Sequence, residues 1–137
     1  MDLKLHIFDK LKYILDITAK QLDERFQFQK TAFVKQFPLL MTKLWIDCDK
    51  LNPDETIEKV INQGTLGIGF IGLAECLKAL VGKHHGESDE AQTLGVKIVT
   101  LMRDCANDYS EHYQHNYSIL ATPAEGLSGR FTKYDRK

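Results

Sequence analysis

The chain has 137 residues, of which 43% are hydrophobic and 27% are charged, and its 18 Lys and Arg against 19 Asp and Glu give a net charge of −1. This length and composition fit one segment with a sizeable core, and they exclude a disordered tail, a collagen-like repeat and a small disulfide scaffold. The near-neutral charge argues against DNA as a partner. No apolar run approaches the roughly 20 residues that span a bilayer, and the N-terminus lacks the apolar stretch of a signal peptide, so a soluble cytoplasmic protein is expected.

The first thirty or so residues are predicted to form one long amphipathic helix. Apolar side chains recur there at intervals of three or four, which places them on one face. The predicted buried stripe comprises Leu3, Ile7, Leu11, Ile14, Thr18, Leu22 and Phe26, widened by Phe8 and Leu15. Asp2 is in position to cap the start of the helix. Phe37-Pro38 interrupts helical geometry, and residues 37–49 are predicted to be irregular.

The middle of the chain changes from a helical to an extended pattern. Asn52-Pro53-Asp54-Glu55 predicts the start of a short helix that runs to about Asn62. Alternating apolar residues from Thr65 to Ile71 predict a buried strand. Gly67 and Gly69 leave one side of that strand bare, so another backbone or a ligand is expected to come very close there.

The second half contains two more helices, a second strand and a weak helical tail. A helix is predicted over Leu73–Val81 and ended by Gly82, and Ser88 is predicted to cap a second long helix. The buried stripe predicted for that helix is Ala91, Leu94, Ile98, Met102, Cys105, Tyr109 and His112. An extended segment follows through residues 117–120, and the tail over 126–137 is basic. The predicted fold class is therefore α/β and predominantly helical, with two long helices, shorter helices and about two strands. Because two strands alone do not make a stable sheet, the chain is predicted to be part of a larger structure.

Several short sequence motifs are matched, but the neighbouring residues that their chemistry requires are not. Residues 67–72 match G-x-G-x-x-G, yet the strand pattern runs through the glycines, and no acid follows about twenty residues later. Adjacent histidines such as His84 and His85 rarely converge on one metal ion, so a solvated loop is favoured there. The cysteines, Cys48, Cys76 and Cys105, predict neither a disulfide framework nor a zinc site nor a reactive thiol.

The strongest candidate site is Thr122-Pro123-Ala124-Glu125-Gly126. A strand that leads directly into a capped helix places free backbone N–H groups at the carboxyl end of the strand, which suits a phosphate. Thr122 is the predicted cap, and Pro123 the first helical residue. Basic residues add positive charge nearby, namely Arg130, Lys133 and Arg136. On these residues alone, a structural capping box is somewhat favoured over a phosphate site.

Three segments in this order resemble the anaerobic (class III) ribonucleoside-triphosphate reductase family. They are residues 63–75 (QGTLGIGFIGLAE), 82–87 (GKHHGE) and 116–126 (NYSILATPAEG). The resemblance extends over nearly the whole chain and includes residues 21–26 (QLDERF). It implies that residues 1–137 form one internal segment of a ten-stranded α/β catalytic barrel, located after the loop that carries the thiyl-forming cysteine.

The resemblance also implies where the chemistry of the whole enzyme resides. The family reduces ribonucleoside triphosphates with a glycyl radical and commonly formate, after activation by a radical-SAM protein. The ATP-cone, the glycyl-radical domain and the structural zinc are expected elsewhere, so no cofactor, metal or catalytic residue is assigned to this segment. Residues 122 to 126 are implied to seat the substrate phosphates. The segment is expected to pack against the rest of the reductase chain, and by itself to be inactive and to self-associate.

The alternative is a stand-alone helical module that binds nucleotide or docks on a reductase subunit without catalysis.

Overall fold

The computed structural model describes residues 3–123 and 125–135. The helices are α1 (Leu3–Gln29), α2 (Leu40–Lys43), α3 (Glu58–Ile61), α4 (Leu73–Val81), α5 (Asp89–Tyr113) and α6 (Glu125–Asp135), and the strands are β1 (Thr65–Phe70) and β2 (Asn116–Ala121). Short 3₁₀ turns occupy Val34–Gln36 and Cys48–Lys50. The predicted α/β class with mostly helical content is confirmed. In the described ranges, no helix is both long and apolar enough to cross a bilayer.

The two strands form one parallel pair. Thr65 lies opposite Asn116 at one end of the pair, and Phe70 lies opposite Ala121 at the other. Helices α4 and α5 supply the long crossover that a parallel connection needs. Within residues 3–123 and 125–135, each strand is paired on one side only, so both outer edges of the sheet are open.

Helices α1 and α5 pack over one face of this sheet and enclose the main core. Its buried residues are Leu15, Ala19, Ile68, Leu77, Leu94, Ile98, Met102, Ala106, Tyr109 and Tyr117. The opposite face of β1 is exposed at Thr65, Gly67 and Gly69. The prediction of a buried strand is therefore correct for one face only, because α1 and α5 cover a single side of the sheet.

Two predicted members of the buried stripes lie outside the core. Ile14 is 49% exposed, because the stripe of α1 follows Leu11, Leu15 and Ala19 and leaves Ile14 on the neighbouring face. His112 is exposed, because the buried stripe of α5 ends at Tyr109. The proposed cap at Asp2 lies outside the described residues.

The helix predicted to begin at Asn52 is wrong, and long-range hydrogen bonds give the reason. The Glu55 carboxylate does accept from the Asn52 N–H at 2.7 Å, as a capping box requires. However, the carbonyls of Pro53 and Glu55 accept from Lys35 and Val34, each at 3.0 Å, so they are not free for helical hydrogen bonds. Residues 52–55 form a turn instead, and the helix is confined to α3.

A second, smaller core lies below this turn. It consists of Val34, Met41, Cys48, Ile57 and Val60, with Trp45 among the partly buried residues around it. An antiparallel bridge between Phe33 and Thr56 closes this unit. The segment over 37–49, predicted to be irregular, contains α2 and a 3₁₀ turn that pack their apolar residues into this core.

Candidate functional site

The carboxyl ends of β1 and β2 lie at one edge of the sheet, which is called the carboxyl edge below. Strand β1 ends at Phe70 and α4 begins at Leu73, while β2 ends at Ala121 and α6 begins at Glu125. Because the strands are parallel and Phe70 is opposite Ala121, the starts of both helices lie at this edge. Parallel α/β proteins bind ligands at the carboxyl ends of their strands, and helix N-termini attract anions.

The start of α4 has a left-handed glycine and an acidic first turn. Gly72, which precedes α4, has φ +79°, a conformation that favours glycine. Glu75 follows in the first turn, and its Oε2 is 3.9 Å from the point that a Cβ on Gly72 would occupy. An acidic residue therefore lies at the positive end of the α4 dipole, and α6 likewise begins with one, Glu125, so the two helix starts are alike in this respect.

Thr122 continues the strand pairing beyond the end of β2. Its N–H donates to the Phe70 carbonyl at 3.0 Å. Its side chain lies over Gly69, since the Thr122 Cβ is 3.5 Å from the point that a Cβ on Gly69 would take and the hydroxyl oxygen is closer still. A group does come close to the bare face of β1 at Gly69, but it is the Thr122 side chain and not the backbone or ligand that was predicted.

The start of α6 differs from the predicted capping box. Pro123 precedes the helix, which begins at Glu125, so Pro123 is not the first helical residue and Thr122 is not the cap. The physical reason is that the Thr122 backbone is held by Phe70 in an extension of the sheet. Ala124 lies outside the described residues. Gly126, in the first turn, is exposed, and an added Cβ there would have no atom of the described residues within 4 Å.

Positive charge lies along α6. Arg130 and Lys133 are exposed, and they follow Gly126 by four and seven residues. Residues at that spacing share one face of a helix. Gly126 and the two cations therefore lie along one side of α6. Arg136, predicted to add to this charge, lies outside the described residues.

The loop with adjacent histidines is held by its own hydrogen bonds. The His84 N–H donates to Glu87 Oε2 at 2.9 Å, and the Gly86 N–H donates to His84 Nδ1 at 3.0 Å. The hydrogen bond from the His84 backbone lowers the pKa of the Glu87 carboxyl. The described ranges contain no cluster of three or more His, Cys, Asp or Glu side chains that could hold a metal ion. The contacts present are those of a structural loop.

The three cysteines are free thiols that are buried or half-buried. Cys48 is buried, while Cys76 and Cys105 are half-buried. Burial raises the pKa of both the Cys76 and the Cys105 thiols. A thiol with a raised pKa is protonated at neutral pH and is a poor nucleophile.

The role of Gly69 beneath Thr122 was not predicted from the sequence. The alternation over β1 indicates a bare face, but only the register of the two strands shows which residue lies against it. Two features of the sequence could have predicted this contact. One is the pair of glycines in a single strand, and the other is a second strand of equal length that leads into a threonine.

The fold and this edge define a parallel-stranded α/β unit in which two helices begin at the carboxyl ends of adjacent strands. The chain belongs to the anaerobic ribonucleoside-triphosphate reductase family, whose family model matches residues 3–137. The resemblance inferred from the sequence motifs is thereby confirmed.

Known anaerobic ribonucleoside-triphosphate reductases are similar to this chain. The enzyme of Escherichia coli (strain K12) is 28% identical over 89 residues, that of Haemophilus influenzae is 29% identical over 91 residues, and that of Enterobacteria phage T4 is 32% identical over 88 residues. The matched regions cover 63–64% of this chain but only 12–13% of each relative. The chain thus corresponds to a small part of the length of these enzymes.

Proposed function

We propose that this chain forms part of the catalytic barrel of an anaerobic ribonucleoside-triphosphate reductase, and that residues 122 to 126 seat the phosphates of the substrate. The observation that carries the proposal is the carboxyl edge itself. There Thr122 extends the sheet, and α6 begins three residues later. Family membership supplies the substrate class, since the relatives are named as ribonucleoside-triphosphate reductases.

The open sheet supports a place within a larger barrel. In the described part of the chain, β1 and β2 each leave one edge unpaired, and unpaired edges accept further strands. One face of the sheet is covered by α1 and α5, whereas the face with Gly67 and Gly69 is exposed. A strand of an α/β barrel is arranged in the same way. Helices cover its outer face, and small residues on its inner face leave space for groups in the barrel interior. These features support the proposal that residues 1–137 are one segment of a ten-stranded barrel.

The triphosphate would be held by three kinds of group. The first N–H groups of α6, at Glu125, Gly126 and Leu127, have no acceptor one turn earlier in the helix. Thr122 is exposed, and its hydroxyl is a hydrogen-bond donor. Arg130 and Lys133 supply positive charge on the same side of the helix as Gly126.

The remaining chemistry belongs to other parts of the reductase. The glycyl radical, the thiyl-forming cysteine, the formate site and the structural zinc are assigned outside residues 1–137, as is the contact with the radical-SAM activating protein. The partly buried thiols of Cys76 and Cys105 support this division, because radical transfer needs an accessible sulfur next to the substrate.

A nuclear magnetic resonance titration of the 137-residue chain tests the proposal. We expect a ribonucleoside triphosphate to shift the amide signals of Gly126 and Leu127, and the same ribonucleoside without phosphates to leave them unchanged. The amide of Gly82, at the end of α4, is an internal control remote from α6 in sequence. If the triphosphate shifts no amide over residues 122 to 130, the proposed phosphate site is wrong.

A further inference from the structure

We infer that Gly69 is a positioning residue for the Thr122 hydroxyl, and that it acts on substrate phosphates only through Thr122. This inference rests on the phosphate site proposed above. Gly69 itself lies within β1, opposite Leu120, and it has no side chain that could contact an anion. Its contribution is the space that its missing side chain leaves.

The geometry shows how that space is used. The Thr122 N–H is fixed to the Phe70 carbonyl at 3.0 Å, so the backbone of Thr122 cannot retreat from β1 without breaking this hydrogen bond. With the backbone held, the hydroxyl oxygen occupies the volume directly above Gly69. A Cβ at position 69 would overlap that oxygen, while it would stand 3.5 Å from the Thr122 Cβ, an ordinary contact. An alanine therefore displaces the hydroxyl and spares the rest of the side chain.

Gly67 provides a matched comparison on the same strand and the same face. A Cβ there would have its nearest neighbour at 4.0 Å, the Ser118 hydroxyl. Both glycines are exposed and both lie in β1, so an alanine at either site changes strand propensity equally. The two positions differ in one respect, which is the side chain above them.

The test is a set of four variants of the 137-residue chain, titrated with a ribonucleoside triphosphate. Gly69→Ala and Thr122→Ala are each expected to weaken binding roughly tenfold, the value of one hydrogen bond to a charged group. The double variant is expected to bind as weakly as Thr122→Ala alone, because the hydroxyl is already lost. Gly67→Ala is expected to bind as the wild type does. Wild-type affinity in Gly69→Ala would overturn the inference.

A measurement on the wild type does not depend on whether Gly69→Ala folds. Three-bond couplings between the Thr122 backbone and its γ carbon report the χ1 angle, and we expect values for a single rotamer. Couplings averaged over several rotamers would overturn the inference, since the hydroxyl would then not be positioned. If instead the triphosphate does not shift the amide signals of Gly126 and Leu127 in the wild type, the proposed phosphate site is wrong, whatever the rotamer of Thr122.

Discussion

The Tyr109 hydroxyl donates a 2.6 Å hydrogen bond to Asp16 Oδ1 and so joins α5 to α1 across 93 residues of sequence. Tyr117 makes a parallel link from β2, since its hydroxyl donates to the Ala19 carbonyl at 3.0 Å. The two rings are in edge-to-face contact, with centroids 5.9 Å apart. Together these tyrosines tie the long helix α1 to the crossover helix and to the sheet.

Loss of the Tyr109 hydroxyl should destabilise the chain. Tyr109→Phe leaves the buried ring but removes a hydrogen bond to a carboxylate, which is worth about 2 kcal/mol. We expect the free energy of unfolding, measured in urea, to fall by that amount. Tyr13→Phe is the matched control, because Tyr13 lies on α1 with 58% of its surface exposed. Equal stability of the two variants would show that the link between Tyr109 and Asp16 contributes nothing.

Alkaline pH should weaken the fold through Tyr117. Burial, followed by the charge of Asp23 and the nearby Tyr113, raises the pKa of Tyr117 from 10.0 to about 12. The folded chain therefore holds this proton more tightly than the unfolded chain does. The stabilisation is fully present below pH 10 and is lost as the pH rises from 10 to 12, to a total of about 3 kcal/mol.

Tyr117→Phe isolates this contribution. We expect the variant to be less stable at neutral pH but to lose less stability between pH 10 and 12, as followed by circular dichroism during urea unfolding. The pKa of Tyr109 is also raised, through burial and the hydrogen bond to Asp16, so part of the alkaline loss should remain. Identical pH dependence in the wild type and in Tyr117→Phe would contradict this assignment.

The isolated chain should self-associate. Four large apolar side chains are more than 60% exposed around the smaller core and the end of α1, namely Phe28, Leu39, Leu44 and Ile46. Phe28 lines a groove of about 650 Å³ together with Trp45, and Leu44 and Ile46 line a second groove that Trp45 also borders. Exposed apolar patches and open sheet edges both favour association.

Light scattering, with the chain at a concentration of tens of micromolar, should give a mass above the 15.7 kDa of one chain. Ile46→Glu is expected to lower that mass, because it places a charge in the patch. Gln92→Glu adds the same charge at an exposed position of α5 and should leave the mass unchanged. A uniform mass of 15.7 kDa for the wild type would show that the patch does not drive association at this concentration.

Local signals predicted most of the elements, because their causes are short-range. The Ser88 side chain accepts from the Ala91 N–H at 3.2 Å, as its position before an acidic first turn predicts. Gly82 ends α4 with φ +78°, the conformation that its position after an apolar stripe predicts. Both strands were likewise evident from alternation or from extended residues.

The errors occurred where distant residues decide the outcome. Residues 52–55 carry every local sign of a helix start. However, the carbonyls of Pro53 and Glu55 accept hydrogen bonds from Lys35 and Val34, which lie about twenty positions earlier in the chain. Thr122 has the local signature of a helix cap, but its N–H is taken by Phe70. In both cases a long-range hydrogen bond overrides a local preference. The phosphate role of residues 122 to 126 stays a prediction.

The 137-residue chain should have no reductase activity by itself. Its three thiols are buried or half-buried, and the radical-bearing parts are assigned elsewhere in the enzyme. Incubation with ribonucleoside triphosphate, formate and an activated radical-SAM protein should yield no deoxyribonucleotide. Product that depends on the chain and exceeds the background would refute this assignment of the chemistry.

Substitution at Gly126 in a reductase that contains this segment tests the phosphate site most directly. Among the described residues, a Cβ added at Gly126 or at Gly129 has no neighbouring atom within 4 Å, so the two positions are matched in the space around the Cβ. Only Gly126 lies in the first turn of α6, where the substrate phosphates would approach the backbone.

The measurement is the affinity for ribonucleoside triphosphate, with the glycyl radical monitored by electron paramagnetic resonance. We expect Gly126→Val to weaken substrate binding at least tenfold, Gly129→Val to bind normally, and both variants to form the radical as the wild type does. Unchanged substrate affinity in Gly126→Val would contradict the account and leave residues 122 to 126 as a connection between β2 and α6.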